Sequence, residues 1–356
     1  MKKFGRRQVL KGGLAAISAG VATRSLTNRA AAAGRIVLTD PGGSTQAAYI
    51  KAFYKPFEEQ TGNTVAYAAR PNLAMGQLKS MVMANNVEWD LTYLTDYLVE
   101  LAVKDGLLDE IDYSKMDKQL VAELLPGTAG KYVTSGSMFG TVQCYNTKKW
   151  PVGEGPRNWA DFWDVKRFAG RRSMIGFAYG PMEQALLADG VPRDKLYPLD
   201  VKRALAKLDE IRPHVTVWTS SSAQQHQLLV NDEVDLLEGF ANRIAAAVDD
   251  GAKVEIQWQD GSVNHEGWVI PKGAKNKELA LKFIEFSMDA KRQAESTTGA
   301  GPTNSHATDY LSPAKAKSLP TYPANFAKMY RANAKWLAEN QPELQARWTE
   351  WKAKRT

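Results

Sequence analysis

The chain has 356 residues and only one cysteine, Cys144, so no internal disulfide can form and stability must come from the hydrophobic core. A small buried hydrophobe is the role a lone cysteine of this kind takes. Histidine is nearly as scarce: His214, His226, His265 and His306 are the full set, and none stands at metal-ligand spacing from another ligand. No Gly-x-Ser-x-Gly elbow and no P-loop occur. Cys144 has no activating base nearby in sequence. His265 beside Glu266 could imitate an acid/base pair, but neighbours on a strand point to opposite faces. These absences remove the usual enzyme signatures and leave a cleft hydrolase as a remote alternative. No cofactor is expected.

Long apolar runs are missing too. The stretch Gly12–Ala22 falls short of the roughly 20 residues needed to cross a bilayer, and Arg24 and Arg29 keep it from extending further. It comes after Lys2, Lys3, Arg6, Arg7 and Lys11, in the order of a cleaved export signal. Gly5-Arg6-Arg7-Gln8-Val9-Leu10-Lys11 is similar to the twin-arginine motif, and Ala31-Ala32-Ala33 supplies the small residues a signal peptidase accepts before Gly34. Residues 1–33 are therefore expected to be a signal peptide and the mature protein to be periplasmic.

Net charge shrinks on the same reading. The whole chain carries +7, and Lys2, Lys3, Arg6, Arg7, Lys11, Arg24 and Arg29 account for all of it, because residues 1–33 hold no acid. A neutral mature chain argues against nucleic acid as a partner. Hydrophobic residues at 44% and charged residues at 24% mark a globular chain rather than a disordered one. The mature length exceeds what one core usually supports.

What is present is an alternation of strand and helix signals. Arg35–Leu38 reads as a strand closed by Asp40-Pro41-Gly42-Gly43, then Ile50, Phe53, Tyr54 and Phe57 recur at helical spacing with Ser44 as N-cap. Asn63–Ala68 and Trp89–Leu94 are the next strands, and a second α/β unit begins after Gly140, with strands at Thr141–Tyr145, Ser173–Phe177, Val215–Thr219, Val234–Leu237 and Val254–Trp258. Gly267–Pro271 is one more strand. No tandem repeat or low-complexity linker separates the units, so the expected fold class is α/β with doubly wound, mostly parallel sheets in two lobes sharing a cleft.

Several phrases in this order resemble one family. Trp89-Asp90-Leu91-Thr92, Gly140–Thr147, Asn158–Trp163, Asn231–Leu236 and Val269–Asn276 look like the extracellular solute-binding proteins of ABC importers, and most like their spermidine/putrescine-binding branch. The resemblance implies a type II binding-protein architecture with the ligand clamped between lobes. Residues 34–142 with 268–320 would form lobe one, 143–267 lobe two, and 321–356 a helical tail packed on them. Tyr145-Asn146 and Asn264–Gly267 would be the hinge crossings. It also implies a monomer that passes a small-molecule ligand to an inner-membrane permease.

The resemblance assigns site residues by position. Thr95 and Tyr97 stand where polyamine binders have a hydroxyl and a tyrosine, Glu183 and Glu266 where they have acids that meet an amine, and Phe240 where an aromatic lines the cleft. Tyr145 falls at a hinge. Two departures weaken a linear polyamine clamp: the family's further acid is Gly180 here and its cleft tryptophan is Asn264. A ligand with one amine, or a zwitterion, is the alternative. Ser44 and the Ser220–Ser222 cluster could then supply donors and Arg243 could hold a carboxylate, although N-capping and a surface ion pair explain these residues equally well. Sugar binding stays open through Trp218, Trp258 and Trp268.

Overall fold

The computed structural model describes residues 34–71 and 74–354, so the expected export segment lies outside the described residues. Eleven strands form the sheet system: β1 Arg35–Asp40, β2 Thr64–Ala69, β3 Leu91–Thr95, β4 Leu108–Asp109, β5 Thr134–Asn146, β6 Arg172–Ile175, β7 Val215–Thr219, β8 Leu236–Phe240, β9 Val254–Pro271, β10 Gly301–Pro302 and β11 Tyr330–Arg331. The main order is β2-β1-β3-β9-β5-β8-β6-β7. Both flanks are parallel, β2-β1-β3 on one side and β8-β6-β7 on the other, whereas β3-β9, β9-β5 and β5-β8 are antiparallel. The parallel flanks carry the crossover helices that the sequence rhythm predicts.

The antiparallel centre differs from expectation. The two strands read at Val254–Trp258 and Gly267–Pro271 are one strand of 18 residues, β9. Asp260, at φ 55, precedes Gly261, and the β5-β9 register shifts between Thr141 and Gln143, so this stretch is an irregularity within the strand rather than a break. Strand β5 likewise extends back to Thr134, pairing β9 along its length and adding β8 from Thr141 onward. The exchange of neighbours therefore falls near Gly140–Thr141, not at Tyr145-Asn146.

Each flank has its own core. Ile36, Leu38, Phe53, Phe57, Tyr93 and Phe283 pack on one side; Trp159, Phe162, Met174, Leu208 and Leu236 pack on the other. A central cluster buries Cys144 with Met138, Val142 and Ile244, and burial pushes its thiol up, as an unreactive packing residue requires. The C-terminal helix Ala334–Ala353 joins the second core through Leu344, Trp348 and Trp351, with Trp218 edge-on to both tryptophans at 5.7 and 5.5 Å. Two of the family-like phrases meet in one tie: buried Asp90 accepts from Val37 N at 2.9 Å and from Asn276 N at 2.9 Å.

Two sequence expectations are corrected by burial. Trp268 does face the same side of the sheet as Glu266, as alternation requires, but it lies two residues further along β9, where the helix Gly43–Tyr49 and the segment after it cover the sheet. It is 1% exposed, 4.9 Å from the Tyr93 ring and 5.4 Å from Phe283, and so belongs to the core. Tyr145 sits at the far end of β5 beside Leu236 and Glu255, also 1% exposed. Its hydroxyl donates to Glu255 and accepts from Gly153 N at 2.8 Å, tying down a loop remote from any cleft. If Trp268 is core, Trp268→Ala should cost about 3–5 kcal/mol of folding stability, measured by urea denaturation. A change below about 1 kcal/mol, the level of a surface position, would contradict this placement.

Candidate functional site

The site is built at the carboxyl ends of the parallel strands. After β1 the chain turns at Gly42, whose φ of 75 and 2.9 Å approach of a would-be Cβ to Ala69 Cβ admit only glycine. Buried Asp40 pins that turn, accepting from Gly42 N at 2.7 Å, Gln46 Nε2 at 3.0 Å and Tyr54 Oη at 2.7 Å. Gly42 also takes the cap position of the helix Gly43–Tyr49, so Ser44 lies inside the first turn with its side chain exposed, rather than capping. Thr95 ends β3 as N-cap of the helix Asp96–Lys104, and Phe240 ends β8 as N-cap of the helix Ala241–Asp249.

The central strands add a row across the sheet. Glu266 of β9 is flanked by Thr95 of β3 and Ser137 of β5, and one step along, Asn264 is opposite Phe139. Thr141 then pairs both Ser262 and Phe240. These residues share one face by strand alternation.

Two cavities meet over this face. The first, about 540 Å³, has opposite charges on its walls: Glu266 and Arg243, with Arg70, Ser44 and Ser222. Burial pushes the Glu266 carboxyl up, while Ser137, which donates to its Oε1 at 3.0 Å, and the Arg70 guanidinium pull it down. The second, about 290 Å³, is more apolar. Tyr97 stacks on Tyr179 at 6.3 Å, Phe139 meets Phe240 edge-on at 6.1 Å, and Leu337 and Leu344 of the C-terminal helix close the far wall. Thr95, Phe139 and Phe240 line both cavities.

Seven of the nine residues named from sequence thus converge: Ser44, Thr95, Phe240, Arg243 and Glu266 on the charged cavity, Tyr97 and Glu183 on the apolar one. Trp268 and Tyr145 do not. Glu183 reaches the wall, but both its oxygens are used, Oε2 accepting from Gly180 N at 3.1 Å and Oε1 from the Tyr197 hydroxyl. It caps its own helix, and at 2% exposure burial pushes its carboxyl up. Among the Ser220–Ser222 cluster, Ser221 is the N-cap of the helix Ser222–Val230 and Ser222 faces the charged cavity.

Residues that the sequence did not single out also belong here. Arg70 comes directly after β2, and the rule that ligands gather at strand carboxyl ends could have found it. Glu238 had no such signal. It lies on β8 with no exposure, and Ile175 N donates to its Oε2 at 3.2 Å while Oε1 has no partner among the described residues. That oxygen is 3.2 Å from where a side chain on Gly180 would begin, beneath the apolar cavity. Burial, with a smaller contribution from Glu183, pushes Glu238 up to about 8.

The sequence profile of the bacterial extracellular solute-binding protein family matches residues 52–325. The gamma-aminobutyric acid-binding protein of Pseudomonas aeruginosa is 32% identical over 320 residues, 88% of this chain and 89% of the relative. The spermidine/putrescine-binding periplasmic protein of Escherichia coli is 24% identical over 277 residues, 75% of this chain and 78% of that one. A solved GABA receptor structure is 34% identical, covers 91% of this chain and 99% of its own, and superposes with a TM-score of 0.80.

The raised Glu238 carboxyl makes folding stability depend on pH. It holds its proton in the folded chain up to about pH 8 but loses it above about 4.5 when unfolded, so stability falls as pH rises through that window. Glu238→Gln keeps the shape and removes the titration. The variant should gain stability over the wild type as pH rises from 5 to 8, with a limiting slope of about 1.4 kcal/mol per pH unit, read from urea denaturation at each pH. Parallel pH profiles of the two proteins would show that Glu238 is ionised in the fold.

Proposed function

We propose a ligand class for a chain that belongs to the bacterial extracellular solute-binding protein family: a small zwitterion, of the ω-amino acid kind, held in the charged cavity for delivery to an ABC permease. As the substrate-binding component of an ABC transporter the chain is not an enzyme. The observation that carries the ligand reading is that Glu266 and Arg243 line one cavity. A carboxylate with one oxygen free among the described residues suits an ammonium group, and a guanidinium in the same lining suits a carboxylate. The hydroxyls of Ser44, Thr95 and Ser222 add neutral donors and acceptors around them.

A linear polyamine fits less well. It needs acids spaced along its length, and in the second cavity Gly180 offers none, Glu183 has both oxygens engaged, and Asp96 is already paired with Arg331 at 3.0 Å. The gamma-aminobutyric acid named for the two relatives above has one charge of each sign at its ends, and the first cavity offers a partner for each: the Glu266 carboxyl for the ammonium, the Arg70 and Arg243 guanidiniums for the carboxylate.

Delivery to a periplasmic cleft requires export. Residues 1–33 would direct twin-arginine export and be removed before Gly34, placing the mature monomer in the periplasm. Changing both Arg6 and Arg7 to Lys should stop export, because a receptor reads the motif rather than its charge. Cell fractionation with an antibody to the mature chain measures this, and normal periplasmic delivery of the double variant would count against the route.

Calorimetry with gamma-aminobutyric acid and with putrescine tests the ligand class. Glu266→Gln and Arg243→Gln should each weaken gamma-aminobutyric acid binding roughly tenfold to hundredfold, the scale of a charged hydrogen bond at about 1.5–3 kcal/mol. Arg243→Gln should raise any putrescine affinity, because it removes a like charge from the cavity. Tighter binding of putrescine than of gamma-aminobutyric acid by the wild type would return the polyamine reading.

A further inference from the structure

A line of hydroxyls runs from the first core to the cleft and ends on Glu266. Tyr49 Oη donates to Tyr93 Oη at 2.8 Å, Tyr93 Oη and Ser137 Oγ are 3.1 Å apart, and Ser137 Oγ donates to Glu266 Oε1 at 3.0 Å. Each hydroxyl has a single proton to give. An ionised carboxylate only accepts, so Ser137 must spend its proton on Glu266, which makes Tyr93 donate to Ser137 and Tyr49 donate to Tyr93. One charge at the end therefore fixes the direction of every bond in the line, and bonds aligned in this way polarise one another in the same sense.

We propose that Tyr49, Tyr93 and Ser137 are positioning residues that orient the Glu266 carboxylate and hold it charged for a cationic ligand head. The inference rests on the reading of Glu266 as the ammonium site. Its support is geometric. Tyr49 and Tyr93 are buried, at 3% and 0% exposure, and both rings pack on Trp268 at 6.1 and 4.9 Å, which holds their hydroxyls in place. Gly136, beside Ser137, has φ 88, and a Cβ there would stand 2.7 Å from Tyr93 Oη and 2.2 Å from the Glu266 carbonyl oxygen. Glycine at this position therefore lets the tyrosine approach the strand at the point where Ser137 takes up the line. Glu266 Oε2 accepts nothing from the described residues, and Glu266 lines the charged cavity, so the relay occupies one oxygen and leaves the other for the ligand.

The other charged groups around Glu266 are Arg70 beyond β2, Asp96 at the head of the helix after β3, and Arg243 in the lining of the same cavity. Arg70 favours the charged carboxylate and Asp96 opposes it, while burial pushes the Tyr49 and Tyr93 phenols up, so they stay protonated donors. Burial alone would push Glu266 toward its neutral form; Ser137 and Arg70 work against that. A cationic head binds the ionised form, so affinity falls as pH drops through the Glu266 titration. Removing the donor raises that titration and brings the fall to a higher pH.

The test has a ligand-free arm and a ligand arm. Carboxyl titration of Glu266 by carbon-detected NMR in the wild type, Ser137→Ala, Ser137→Thr and Tyr93→Phe should give higher midpoints in Ser137→Ala and Tyr93→Phe and a wild-type midpoint in Ser137→Thr. Binding of gamma-aminobutyric acid should weaken about tenfold in Ser137→Ala, about what one hydrogen bond to a charged group supplies, with its low-pH limb displaced upward. Unchanged midpoints in both Ser137→Ala and Tyr93→Phe would overturn the relay. Displaced midpoints with unaltered gamma-aminobutyric acid affinity would leave the hydroxyl line acting on Glu266 but overturn its role in binding, whereas unaltered affinity in Glu266→Gln would remove Glu266 as the ammonium site.

Discussion

The molecule depends on two long antiparallel strands that pass through both flanks of the sheet. Because β5 and β9 pair with each other along most of their length, with register shifts at Thr134/Ser137 and Thr141/Gln143, while β3 flanks β9 and β8 flanks β5, each flank is fixed to the other through this shared pair. Backbone hydrogen bonds cannot be left unmade in the interior, so the crossing is held by the same ladder that builds the sheet. At the crossing, alternation points Thr95, Glu266, Ser137, Asn264 and Phe139 to one face. The cleft chemistry is a consequence of that pairing.

Depth along a face decides what each residue does. Glu266 and Trp268 project from the same side of β9, yet one meets a cavity and the other the core, because the segment carrying Tyr49 and Phe53 covers the sheet only beyond Glu266. The buried core is thus the support for the site: Trp268 holds the rings of Tyr49 and Tyr93, whose hydroxyls reach back to the cleft.

Acids around the two cavities are satisfied in distinct ways. Asp40 collects donors from a glycine turn, a glutamine and a tyrosine. Glu183 caps its own helix and takes the Tyr197 hydroxyl. Glu238 has too few donors and stays protonated at neutral pH. Glu266 has one oxygen supported and one free over a cavity that also contains a guanidinium, the arrangement in which a charged ligand can replace lost hydration.

The sequence by itself determined the class of element and its order along the chain. Period-two and helical spacing around Ile36, Leu38, Phe53 and Phe57 specify strand and helix because burial of one face is a local pattern. Position relative to strand ends was also legible, so spacing and resemblance together bring Thr95, Phe240 and Arg243 to the cleft. Only the tertiary structure decided that β9 is continuous, that Glu183 has no free oxygen, and that Trp268 and Tyr145 are internal. These depend on which distant segment covers a given face, and the contacts between Tyr49 and Trp268 or between Tyr145 and Glu255 join residues more than a hundred positions apart. Glu238 and the Tyr49-Tyr93-Ser137 line could not be read in advance for the same reason: their neighbours are set by sheet order and helix packing, and no local periodicity encodes them.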